Sequence, residues 1–246
     1  MAYRTLLGVL SAFALVAFAV PSARGADTSI IAGRTLKVEP DARFCVVGHD
    51  DPADELIHRA FDEAAGDNLA TVSIQADCEK LERFRRNESA MGDVEPSLAV
   101  QVNLKAGKPM IVGMPRARFL DYMETNLKSQ NSSQIYQLGE KSAQAAMTRL
   151  KQSMGESVGN VNLEGTQILG VLDRDDSAVY LGLVQRFTQG GKRMQVAAIA
   201  ASTVVNGLPL TITYSEPFTK PDMFPTMLTE TKRFTRDIIQ LNEGSG

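Results

Sequence analysis

Four β-type runs packed into the C-terminal third constrain this chain more than any other feature. They occupy residues 161–172, 179–187, 194–204 and 208–214, joined by residues 173–177, Gly190-Gly191 and Asn206-Gly207. Gly-Gly and Asn-Gly reach the positive φ that tight hairpin turns need, so successive strands are expected to lie antiparallel. The runs stop at Pro217, and a helix is expected from Asp222, tolerating Pro225 because first-turn amides need no partner. Phe224, Met227, Leu228, Phe234, Ile238 and Leu241 form an apolar stripe at helical spacing. A meander is the surface such a stripe buries against.

The rest of the chain reads as shorter alternating elements. A polar lead over 27–33 precedes β-type runs at 35–38 and 43–47, separated by the Pro40-Asp41 turn. Asp51-Pro52 supplies an N-cap and a first-turn proline, so a helix is expected to start there and to end at Gly66. Leu56, Ile57, Ala60, Phe61 and Ala64 fall on one side of it. Residues 69–75 alternate as a strand, so 43–75 reads β-α-β, and a crossover of this length fits a parallel pair. A short charged helix over 79–86, a polar loop over 85–96 and a strand over 98–104 follow. Helices are then expected over 117–127 and 133–154, the second rich in small residues (Gly139, Ser142, Ala143, Ala145, Ala146) that permit close packing. The expected fold class is α/β of the α+β type: a mixed, mainly antiparallel sheet whose C-terminal four-stranded meander is covered by a long helix, sandwich-like as α/β/α. Residues 26–246 read as one globular domain, with the neighbourhood of residue 106 as the point where it would sub-divide.

Residues 1–25 read as an address. A single positive charge at Arg4 precedes an unbroken apolar run over 6–20, and Ala23-Arg24-Gly25 places small residues where a signal peptidase reads. The 15 apolar residues of 6–20 span about 22 Å as a helix, short of the ~30 Å hydrocarbon core, which favours a cleaved leader over an anchor. The mature chain is expected to start near Ala26, to be periplasmic or secreted, and to keep no membrane span. Loss of Arg4 and Arg24 takes the net charge from −3 to −5, a mildly acidic balance unlike that of nucleic-acid binders. Cys45 and Cys78 are the chain's two cysteines, and in an oxidising compartment their spacing suits a structural disulfide rather than a redox or metal pair.

Few residues offer chemistry. Gly155-Glu156-Ser157-Val158-Gly159 matches G-x-S-x-G, but a helix precedes it and a strand follows, the reverse of a nucleophile elbow. Both histidines, His49 and His58, also lie upstream of that serine. His49, Asp51, Asp54 and His58, with Glu55 and Asp62 nearby, form the densest polar cluster and could hold a divalent metal, zinc best. The plainer reading is that they make the solvated face of the helix, where acids also favour its N-terminal half. Asp173-Arg174-Asp175-Asp176 lacks the glycine and distal glutamate of an EF-hand and reads as a hairpin turn. Methionines such as Met227 read as core filler rather than copper ligands, and no cofactor is expected.

The functional expectation is an exported, non-enzymatic accessory or binding protein. Its partner would be another envelope or secreted protein, or a small ligand. The alternative is a divalent-metal-binding protein or metal-dependent hydrolase centred on His49 and His58. If a partner-binding surface exists, the 85–96 loop and the turn carrying Pro115, Arg116 and Arg118 are its first candidates, since loops carry function. The order of elements over 161–243, meander then long helix, resembles the second half of PsbP-type α/β/α sandwiches. That resemblance covers about a third of the chain, rests on element order, and implies partner binding.

Overall fold

The computed structural model of the chain describes residues 27–129, 132–154, 161–189 and 191–243. The leader and the Gly155–Gly159 motif therefore lie outside the described residues. The meander is the largest part of the described structure. Strands β7 (Val161–Arg174), β8 (Val179–Gln189), β9 (Lys192–Val205) and β10 (Leu208–Pro217) pair antiparallel in that order. Asn206 and Gly207 turn β9 into β10 with φ of 51° and 75°. Both φ values are positive, the condition a two-residue primed turn sets, and glycine meets it without a Cβ penalty.

Strands β3 (Phe44–Val46), β4 (Leu69–Asp77) and β5 (Ser97–Lys105) extend the same sheet, in the order β3-β4-β5-β10-β9-β8-β7. The β5–β10 ladder, Val100 opposite Ile212, joins the two halves of the chain into one sheet. A two-residue strand, β6 (Lys108–Pro109), doubles back on the end of β5. Among the described residues every pairing is antiparallel. This corrects the parallel pair expected over 43–75: Phe44 faces Asp77 and Val46 faces Gln75, so β3 and β4 run in opposite directions. The intervening helix α1 (Pro52–Ala65) does not return the chain to the end of the sheet where β3 began, as a parallel pair requires. A second correction concerns the lead. Asp27–Ile31 is strand β1, paired in a two-stranded sheet with β2 (Arg34–Val38) through the Ala32-Gly33 turn. Alanine with φ 50° in that turn is not a residue that announces one.

Alternation divides the sheet into two faces. Leu98, Val100, Val102, Tyr180, Ile199, Leu210 and Ile212 face one way, into the main core. That core is closed by helix α5 (Phe224–Glu243) through Phe224, Met227, Phe234 and Ile238, and by Leu36 and Val38 of β2. Pro225 sits in the first turn of α5, as its missing amide requires. Asn242 near the end of α5 clips β2 like an extra strand: its side-chain oxygen accepts from Lys37 N at 2.9 Å, and its amide donates to Lys37 O at 2.8 Å. On the opposite face lie α1, α2 (Cys78–Arg85), α3 (Arg116–Ser129) and α4 (Ser132–Met154). The Cys45–Cys78 disulfide ties β3 to the first residue of α2, with Cα atoms 4.8 Å apart. The molecule is an α+β sandwich.

Candidate functional site

Helix α1 begins where the sequence directs it. Asp51 caps it, accepting from Ala53 N at 2.8 Å, and Pro52 follows in the first turn. One turn on, the helix departs from the amphipathic pattern, because Asp54 (1% exposed) and His58 (8%) are buried beside Ile57. Asp54 accepts from Gly48 N at 2.7 Å and receives the Arg85 guanidinium as a fork, Nε at 2.9 Å and an Nη at 2.5 Å. That pairing holds Arg85 above its ordinary pKa and locks α1 to α2. His58 donates through Nε2 to the Val47 carbonyl at 2.9 Å. His49 stacks on it with ring centroids 3.9 Å apart, and His49 Nδ1 reaches Glu55 at 2.9 Å.

The four side chains named as metal ligands thus gather at one end of α1, but each has a structural contact there. Among the described residues no group of three His, Cys, Asp or Glu side chains is placed to hold a metal ion. The plainer expectation of a solvated face holds for His49, Glu55 and Asp62, which are exposed, and fails for Asp54 and His58. Ala64, expected on the apolar side, is exposed, while Asp54 and His58 are inside. The deciding contact is Arg85, more than thirty residues away, which no helical periodicity contains.

Behind that end, between α1, α4 and the sheet, lies a cavity of about 260 Å³. Ile57, Ala60 and Phe61 of α1 form one wall. Ala143, Ala146, Met147 and Leu150 of α4 form the second, so the small residues of that helix leave space rather than closing it. Ile74 and Ala76 of β4, Leu163 of β7 and Phe187 of β8 make the floor. Arg149 fastens α4 to α1: its Nε donates to Glu63 O at 2.8 Å and an Nη to Ala64 O at 3.2 Å, a cation on the carbonyl end of α1. Gly66 beside it holds φ 56° and ψ −143°, a backbone conformation that strains any residue with a Cβ.

The fourth wall is the end of the 85–96 loop, through Met91, Val94 and Glu95, continued by Ser97 of β5. Glu95 is the only ionisable residue among the described residues of the lining. Its Oε2 is shut off from solvent without a hydrogen-bond partner. Burial pushes this carboxyl up to about 7, against hydrogen bonds from Ser97 and the charge of Lys80, with Glu216 adding to the rise. Lys80 is spent on the Glu95 backbone carbonyl. Sequence reading named the 85–96 loop but did not single out Glu95 within it, an acid between an apolar residue and a proline at the start of a strand.

The other candidates fall elsewhere. Arg116 donates to Val204 O at 3.1 Å and to Glu243 at 2.5 Å, fixing α3 to the end of α5, whereas Arg118 is exposed. Asp175 makes the β7–β8 turn, accepting from Ser177 N and Ala178 N at 2.8 and 3.1 Å, as a hairpin turn should. A wider groove of about 510 Å³ on the other side of the 85–96 loop mixes Lys80, Arg83 and Lys192 with Glu88 and Asp93. Ligand sites are mostly apolar with a few placed polar groups, and the cavity beside Glu95 has that make-up while the groove does not. Met227 is buried in the core, and Met91 and Met147 line the cavity. No protein-family model matches the chain, and comparison with curated proteins gives no match either.

Proposed function

We propose that this chain is an exported protein that acts by binding, holding a small ligand in the cavity between α1, α4 and the sheet, rather than by catalysis. The observation that carries the reading is the make-up of that cavity: mostly apolar walls from α1, α4, the sheet and the 85–96 loop, and a single carboxyl among the described residues of the lining. Its volume, about 260 Å³, lies just under the ~300–1,000 Å³ of drug-sized sites, so the ligand is small. The disulfide fits an oxidising compartment, and the apolar leader supplies the route there. Among the described residues no helix is long and apolar enough to cross a membrane. Both histidines are held in structural contacts, which speaks for binding over acid–base work.

The test is expression with the native leader, fractionation, and native mass spectrometry of the product. The expected species has lost residues 1–25, carries the disulfide, and sheds a small adduct on denaturation. Full-length precursor in the cytosol, or turnover of a substrate by the purified protein, would contradict the proposal.

A further inference from the structure

The ligand class can be taken one step further, on the premise that the cavity binds at all. We propose that the cavity selects a small primary amine with an apolar tail, the ammonium meeting the Glu95 carboxylate and the tail filling the space between α1 and α4. The walls set the tail: Ile57, Phe61, Met147, Leu150 and Phe187 offer no hydrogen bonds, so the body of the ligand must be hydrocarbon. The carboxyl sets the head. Glu95 supplies the one ionisable side chain among the described residues of the lining, and a carboxylate kept from water gains most from a charged donor.

Charge complementarity favours the amine over a fatty carboxylate, which above pH 7 would place two anions together while Lys80, the cation acting on Glu95, is bound to the Glu95 carbonyl. The groups acting on Glu95 are Lys80 from α2, Glu216 from β10 and Ser97 from β5. Glu216 in turn accepts from the Tyr214 hydroxyl. With the Glu95 carboxyl at about 7, half the sites are protonated near neutrality. An alkylammonium keeps its charge to about pH 10, so amine affinity must rise as pH passes upward through 7, and the site releases a proton on binding below that point.

Isothermal titration with hexylamine, hexanol and hexanoate, at pH 6 and pH 8, on the mature protein and on Glu95→Gln, tests this. The expected result is hexylamine binding about tenfold or more tighter than hexanol at pH 8, a smaller margin at pH 6, and no margin in Glu95→Gln. A single cooperative thermal melt and an unchanged circular dichroism spectrum of Glu95→Gln would show that the variant is folded. Equal binding of hexylamine and hexanol, or a margin that survives Glu95→Gln, overturns amine selection while leaving a binding cavity. Failure of all three probes, with an apolar dye still entering, overturns amine selection as well. If the dye is also refused, the binding reading falls with it.

Discussion

Glu95 and Asp54 are two acids in the same small region of the molecule that the fold treats in opposite ways. Asp54 is fully furnished, with the Gly48 amide and both prongs of Arg85. Removing it strands a largely buried guanidinium, so Asp54→Ala is expected to cost about 3 kcal/mol in chemical denaturation, and Asp54→Asn, which keeps the Gly48 contact, clearly less. Glu95 lacks a partner for Oε2 and its carboxyl is pushed up to about 7 from an ordinary 4.5. Between those two values the folded protein keeps a proton that the unfolded chain releases, so this group's contribution to stability falls as pH rises from about 4.5 to 7. Urea titrations of wild type and Glu95→Gln should therefore diverge from pH 5 to pH 8, the variant gaining relative to wild type. Parallel curves would mean that the carboxyl titrates normally. Neither role was legible in the sequence. Spacing along a helix places Asp54 beside His58 but says nothing of Arg85, and no local pattern distinguishes Glu95 from a loop acid.

Elements were far easier to read than sites. Asp51-Pro52, Gly66, Asn206-Gly207 and Pro217 each end or begin a segment for a local steric or hydrogen-bonding reason, and the structure breaks at each of them. Direction is not local, which is why β3 and β4 proved antiparallel. What pins that short three-residue strand is the covalent link from Cys45 to α2. The bridge spans 33 residues, so Cys45→Ala/Cys78→Ala is expected to lower stability by about 3–4 kcal/mol through the freed unfolded chain. The check is a denaturation midpoint measured with and without reductant, the reduced wild type matching the double variant. The β1–β2 hairpin depends on a different clip. Asn242→Ala leaves the Lys37 amide and carbonyl without their α5 partner and is expected to cost about 1–3 kcal/mol. Hydrogen exchange should then rise in β2 while the β9–β10 ladder stays protected.

At the scale of the whole molecule, the sheet separates two tasks. The face under α5 is filled by large apolar side chains and closed by an aromatic cluster in which Phe234 lies 5.9 Å from Phe44 and 5.5 Å from Tyr214. The opposite face carries four helices, and α1 and α4 leave a gap because α4 presents Ala143 and Ala146 where larger residues would close it. Small residues on a helix read equally as close packing or as room, and only the position of the neighbouring wall decides between them. That ambiguity is why the meander and the disulfide could be named from composition and spacing while the cavity could not.

The central claim is that this gap receives a ligand. Titration with the neutral apolar dye N-phenyl-1-naphthylamine, comparing wild type with Ala146→Trp, tests it most directly, because the indole would occupy the space itself. A saturable one-site rise in fluorescence for wild type, lost in a variant whose circular dichroism is unchanged, is the expected result. A flat wild-type titration, or an equal rise in both proteins, would contradict the account.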